Sequence, residues 1–156
     1  MNSIVVACSN CGTKNRIPAD KQHLGPKCGS CKTAISLAGA AVPVELDDGS
    51  FSGFINQASM PVMVDFFSPT CGPCRMLAPI IDNMAGKFFG RVIIAKLDTS
   101  RSQMAAAQYR IKGVPTLIFF KNGRPVDQIT GALPEQELAG LLERFAQIIV
   151  NHLKID

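Results

Sequence analysis

Cysteine occurs six times in this chain, always as CxxC: CSNC (8–11), CGSC (28–31) and CGPC (71–74). Such a pair can lend two thiolates to a metal ion, or it can open and close a disulfide while passing two electrons. Cys8, Cys11, Cys28 and Cys31 are arranged as CxxC, sixteen residues, CxxC, close to the spacing of a four-cysteine zinc site. Four thiolates around one Zn2+ leave a local charge of about −2. Two disulfides or four free thiols are the alternatives. Gly12 and Gly29 stand where tight knuckle turns need them. His23 could be a ligand, but four cysteines complete a tetrahedron, and it is expected in an exposed loop.

The third pair lies in different surroundings. PVMVDFF (61–67) is a nearly continuous apolar run, as expected of a strand covered on both faces, and a helical repeat follows it. Cys71 is thus expected at a helix start, where backbone N–H groups and the helix dipole favour thiolate over thiol. Cys74, one turn in and expected to be buried, has the spacing to attack a mixed disulfide on Cys71. Gly72 permits the turn, Pro73 pre-sets helical φ where no donor is needed, and Arg75 adds positive charge. Asp65 interrupts the apolar run. A carboxylate there is costly unless paired or protonated, so its pKa is expected to be raised by desolvation. Lys96, in IIAKLD, is its expected partner.

The elements that must position these groups alternate from Val42 onward. A strand at 42–46 precedes a helix that Asp47 can cap, with an apolar face of Phe51, Phe54, Ile55 and Ala58. Residues 71–89 place Met76, Leu77, Ile80, Ile81, Met84 and Phe88 at helical spacing, with Pro79 predicting a kink. A strand at 91–98, a short helix at 102–109 and a hairpin at 116–130 around Asn122-Gly123 come next. A helix from Pro134 presents Leu138, Leu141, Leu142, Phe145, Ile148 and Ile149. The order β-α-β-α-β-α-β-β-α predicts an α/β fold, a mixed sheet flanked by helices on both faces. Residues 1–36 show no persistent period and are too few to make a core unaided. They are expected to form a small zinc-binding module, followed by a linker at 37–41 and the main domain at 42–156.

With 156 residues, 47% of them hydrophobic, the chain is not disordered and can bury a core. It has no apolar run long enough to span a bilayer, and its first residues lack a secretory signal pattern, so a cytoplasmic setting is expected. The net charge of +4 resides in residues 1–36: Lys14, Arg16, Lys21, Lys27 and Lys32 against Asp20. These charges complement a negative metal centre. They are a modest footprint for nucleic acid, and no aromatic residue stands among them for stacking, so no nucleic-acid partner is expected.

VDFFSPTCGPCRMLAPI and GVPTLIFFKNG (113–123) together resemble the active-site segments of the thioredoxin family, and the match runs from 42 to 156. The N-terminal cysteines resemble the module of the second, zinc-containing bacterial thioredoxins. The resemblance implies a thioredoxin fold that reduces protein disulfides, is recharged by an NADPH-dependent thioredoxin reductase, and carries one structural zinc. It makes Cys71 the attacking nucleophile, Cys74 the resolving thiol and Asp65 the buried carboxylate that handles the Cys74 proton. Val114-Pro115 matches a cis-proline whose preceding backbone pairs with substrate, and Gly113, Gly131 and Ala132 match small flanking residues. The family has tryptophan immediately before CGPC and again four residues before the first cysteine; here Thr70 and Phe67 stand there, and the chain has no Trp. Thr70 cannot replace an indole on the docking surface. A monomer without membrane attachment is expected. The rival reading is a redox-sensing binding module, a chaperone-like switch in which oxidation ejects zinc and unfolds residues 1–36.

Overall fold

A computed structural model describes residues 2–37 and 39–153, with side-chain surroundings through residue 147. The first elements are an antiparallel hairpin of β1 (Ser3–Ala7) and β2 (Lys14–Pro18) and a short 3-10 turn at Ala19–Lys21. Then follow β3 (Val44–Leu46), α1 (Phe51–Gln57), β4 (Val62–Phe67), α2 (Gly72–Lys87), β5 (Ile93–Asp98), α3 (Gln103–Gln108), β6 (Thr116–Lys121), β7 (Arg124–Thr130) and α4 (Glu135–Leu153). From β3 onward this is the expected order.

The larger sheet runs β3-β5-β4-β6-β7, parallel between β3, β5 and β4 and antiparallel from β4 to β6 to β7. Strand side chains alternate between faces, and that period sorts the core. Val62, Val64 and Phe66 join Phe51 and Ile55 of α1 and Ala105 of α3 on one face. Met63 joins Leu77, Ile81 and Met84 of α2 and Leu138, Leu142 and Phe145 of α4 on the other. Asp65 belongs to that second row, beneath α2. The last helix buries Leu138, Leu142 and Phe145 as expected, whereas Leu141 is only half-buried; the side chains of Ile148 and Ile149 lie outside the described residues.

Two local readings change. The helix after β3 has Ser50, not Asp47, at its N-cap; Asp47 instead closes the preceding turn, its Oδ1 accepting from Ser50 N–H (2.9 Å) while its N–H donates to Ser50 Oγ (3.0 Å). Met76 is 76% exposed, because Cys74, Leu77, Ile81 and Met84 define the buried stripe of α2 and position 76 turns away from it. Pro79 lies inside α2 without ending it.

The N-terminal residues pack against the main sheet. Ala19 is fully buried in the core with Val44 and Phe51, and Leu37, in the expected linker, is also buried. The Gln22 amide grips Val42 twice: Nε2 donates to Val42 O (2.6 Å) and Oε1 accepts from Val42 N–H (3.1 Å). The clamp holds the chain just ahead of β3, whose register with β5 begins at Val44 opposite Ala95. Gln22→Ala strands two backbone groups at a site where Gln22 is only 5% exposed. It should lower stability by about 1–3 kcal/mol. Thermal melting, with faster amide exchange at Val42, checks this; an unchanged melt would make the clamp incidental.

Candidate active site and metal centre

The turn after β4 delivers Cys71 as the N-cap of α2, with Pro73 in the first helical turn. Cys71 and Cys74 are disulfide-bonded, so this is the oxidised form. Cys74 N–H donates to Cys71 Sγ at 3.2 Å, as a capping oxygen would accept. The same donor stabilises negative charge on that sulfur once the bond opens. Cys71 is partly exposed, whereas Cys74 is 3% exposed, so one sulfur faces outward and the other lies beneath it. Arg75 Nε donates to Pro69 O at 3.1 Å and ties the loop across the helix start.

β6 brings up the opposing wall. The Val114–Pro115 bond is cis, as the resemblance implies, and Val114 O lies 3.6 Å from Cys71 Sγ. Gly131 N–H donates to Pro115 O at 2.8 Å and Thr116 Oγ1 donates to Gly113 O at 2.6 Å, so the wall is braced from behind. Gly131 has φ +99°, which a side chain would strain, and Ala132 beside it is exposed. Thr70 is exposed, its hydroxyl 3.2 Å from Ser68 Oγ; the place of an indole is taken by a small polar edge.

Behind the disulfide, a cavity of about 30 Å³ is lined by Asp65, Phe67, Cys74, Ala78, Ile81, Asp82 and Lys96. That is room for a water molecule between the carboxylate and the inner sulfur. Asp65 is 3% exposed and its Oδ1 has no hydrogen-bond partner among the described residues. Burial pushes its carboxyl up to about 7, with the Lys96 charge pulling the other way. Lys96 is the register neighbour of Asp65, yet its ammonium pairs with Glu45 Oε1 at 3.6 Å and sits 5.7 Å over the Phe67 ring. The expected Asp65–Lys96 contact is therefore through space; among the described residues Asp65 makes no ion pair within 4 Å. Sequence reading missed Glu45 and Asp82, since only the pairing of strands and the helix turn bring them near.

The other four sulfurs all lie within 4.8 Å of one another. Cys8 and Cys31 are 3.6 Å apart, as are Cys11 and Cys28. With Zn–S at about 2.3 Å, a tetrahedron has an edge of about 3.8 Å, so the donor set fits one such ion. The two knuckles repeat each other: Cys8 N–H donates to Thr13 O and Cys28 N–H to Thr33 O, both at 2.8 Å. The repeat is visible in the sequence as CSNCGT against CGSCKT. The residue in the left-handed region is Gly12 (φ +77°) in the first knuckle but Lys32 (φ +66°) in the second. Gly29, expected to serve that turn, has no positive φ; its N–H donates to Asn15 Oδ1 (2.9 Å) instead. Asn10 and Asn15 amides reach Cys31 and Cys28 at 3.6 and 3.5 Å. Cys28 is lowered to about 7 by backbone N–H groups of Cys31 and Ser30, and Cys31 to about 5 chiefly by Thr33. At Cys28 and Cys31 these donors favour thiolate, the form a metal takes. At Cys8 the backbone N–H groups of Cys11 and Asn10 are outweighed by burial and by the neighbouring Cys31 and Cys11 sulfurs, which raise the thiol. His23 is outside the cluster. Expected in an exposed loop, it is partly buried, edge-on to Phe54 at 6.0 Å.

Comparison with known proteins agrees with this geometry. The Thioredoxin family model matches residues 42–144, and the family model described as Thioredoxin 2, N-terminal, a zinc-ribbon family, matches residues 7–33. Thioredoxin C-3 of Corynebacterium nephridii is 35% identical over 144 residues, which cover 92% of this chain and 97% of that protein. A thioredoxin of a Synechocystis strain is 42% identical over 65% of this chain and 94% of its own length. The M-type chloroplast thioredoxin of Spinacia oleracea is 40% identical over 65% of this chain and 56% of its own. With the CGPC pair at a helix start facing a cis-proline, and a four-cysteine ribbon ahead of it, the chain belongs to the thioredoxin family.

Proposed function

We propose that this thioredoxin reduces protein disulfides through Cys71, with Cys74 resolving and Asp65 taking up the Cys74 proton. The observation that carries the reading is the Cys74 N–H on Cys71 Sγ (3.2 Å), at a partly exposed sulfur above a buried one. In the reduced protein the Cys71 thiolate attacks one sulfur of a substrate disulfide. A Cys71–substrate bond forms and the other substrate sulfur leaves as thiolate. Cys74 passes its proton to Asp65 across the cavity and attacks Cys71 Sγ; the mixed bond breaks, the second substrate thiolate departs, and the Cys71–Cys74 disulfide remains. Two electrons have moved to the substrate. A thioredoxin reductase drawing on NADPH returns two electrons, and two protons restore the dithiol.

Thr70, Val114, Pro115, Gly131 and Ala132 form the docking surface in this reading. Val114 backbone pairs with an extended substrate segment, a local strand addition. Gly72 and Pro73 shape the turn. Reductase-coupled NADPH oxidation with a protein disulfide substrate tests the activity; no turnover with any reductase would leave a binding module in its place.

Cys8, Cys11, Cys28 and Cys31 hold one structural zinc in this proposal, supported by the sulfur spacing. When bound, the ion cross-links the two knuckles and supplies folding energy, an apparent ~10–16 kcal/mol in small zinc peptides. Four reduced thiols suit a reducing compartment, which favours the cytoplasm. Among the described residues no helix is long and apolar enough to cross a membrane. The boundaries 1–36, 37–41 and 42–156, and a monomeric state, belong to the same proposal. Chelation should melt the module while the five-stranded sheet persists. A truncation beginning at Ala40 should fold and turn over, but melt lower than the full chain, because it uncovers the core face where Ala19 packs. Calorimetry with coupled turnover checks this; an unfolded truncation would make the module part of the catalytic core.

A further inference from the structure

β3 ends the sheet on one side, and the N-terminal residues reach along it. The Asn2 side chain spans its backbone: Nδ2 donates to Pro43 O at 2.7 Å and Oδ1 accepts from Glu45 N–H at 3.2 Å. Glu45 is level with Lys96 across the β3–β5 ladder, and Lys96 is level with Asp65 across the β5–β4 ladder. Side chains level with one another in a sheet share a face. Glu45, Lys96 and Asp65 therefore form one row over three strands, and its inner end lines the cavity shared with Cys74.

Lys96 stands between two carboxylates, and its ammonium, 3.6 Å from Glu45 Oε1, is engaged by the outer one. The inner one, Asp65, keeps an oxygen without a hydrogen-bond partner among the described residues, although a lysine occupies the next position in the row. We propose that Glu45 is a positioning residue for disulfide exchange, holding the Lys96 ammonium at the sheet edge and off Asp65, with its backbone fixed by Asn2 from the N-terminal module.

This rests on the reading of Asp65 as proton acceptor. The groups that bear on Asp65 can be enumerated. Lys96 faces it from β5, and Cys74 and Asp82 from α2. Its register neighbour on β6 is the uncharged Leu117. On the outer side Lys96 shares a cleft with Glu45, Asp47, Asp98 and Arg101, of which Asp98 already engages Arg101 (3.9 Å) and Ser100 (2.6 Å). Glu45 is thus the acid that holds Lys96, and a flexible four-carbon stem lets the ammonium swing inward when that hold is removed. An ammonium nearer Asp65 favours its ionised form. The burial that raises Asp65 makes it responsive to such a charge.

The test follows mixed-disulfide resolution and the Asp65 carboxyl carbon resonance against pH in the full chain. Glu45→Gln should move the Asp65 titration, and with it the acid limb of the rate, about 1 pH unit lower, as a nearby opposite charge does. Lys96→Met should move both upward. Asn2→Ala should shift them in the Glu45→Gln direction by less. A Glu45→Gln titration that stays put or rises would overturn the proposal, even if its melting temperature falls. An Asn2→Ala titration that stays put would remove the module from it. Asp65→Asn separates the two levels. If the acid limb survives in that variant, Asp65 is not the acceptor and the underlying reading fails. If the limb vanishes there but is unmoved in Glu45→Gln, this inference alone fails.

Discussion

Cys74→Ser should leave the protein covalently trapped on its substrates, whereas Cys71→Ser should form no mixed disulfide and lose turnover by on the order of 10³-fold or more. The asymmetry follows from placement. Cys71 is partly exposed at the helix start and receives the Cys74 N–H at 3.2 Å, which stabilises its thiolate. Cys74 is 3% exposed beneath it, facing a cavity rather than solvent. Without Cys74 the first exchange still runs, but no sulfur is in reach to break the Cys71–substrate bond. Without Cys71 the inner thiol cannot meet a protein disulfide. Non-reducing electrophoresis of each variant against a protein disulfide, followed by mass analysis of the adducts, reads the result. Equal trapping by both variants would sink the assignment of roles.

Asp65→Asn should slow resolution by roughly 10²-fold at pH 8, the loss typical of a missing general base. The gap should narrow as the pH falls below about 7, where the wild-type carboxylate itself becomes protonated. The same substitution should raise stability, and only at the alkaline end. Between the unfolded carboxyl value, near 3.8, and the folded value of about 7, the folded chain keeps a proton that the unfolded chain has released. Stability therefore falls as pH rises through that window and levels off above it. At pH 8 the wild type carries the whole burden, on the order of a few kcal/mol, and at pH 4 almost none. Asparagine carries none at either pH. Thermal melts should then show the variant higher at pH 8 and level with wild type at pH 4. Unchanged turnover across pH 6 to 8 would leave Asp65 a structural residue only.

The parts of this chain that could be read in advance are those whose chemistry is local. The run VMVDFF showed a strand covered on both faces because every residue but one is apolar, and the exception is the buried carboxylate of Asp65. CGPC at a helix start and the two cysteine knuckles were legible for the same reason: three or four neighbouring residues determine each turn. Asn122-Gly123 marked its hairpin because both residues tolerate positive φ, and both adopt it. What stayed hidden depends on residues brought together from afar. Lys96 is next to Asp65 in register, but its ion pair is with Glu45, about 50 positions upstream, and no spacing rule reports it. The hairpin of β1 and β2 was missed because its alternation covers only five residues per strand. The clamps from Asn2 and Gln22 to β3 are single amides, of a type that decorates most surfaces. Lys32 at φ +66° escaped because a glycine stood close by in the same knuckle and seemed sufficient.

The division of labour among the three CxxC pairs is most directly tested by counting thiols and metal together. The fully reduced, metal-loaded protein is mixed with excess disulfide substrate for one round of reduction, quenched with an alkylating agent, and assayed for blocked cysteines by mass and for bound zinc by elemental analysis. Two thiols should be lost, at Cys71 and Cys74, while one zinc per chain stays with Cys8, Cys11, Cys28 and Cys31. Loss of all six thiols with release of the zinc would contradict that division, and would make the N-terminal cysteines part of the redox chemistry.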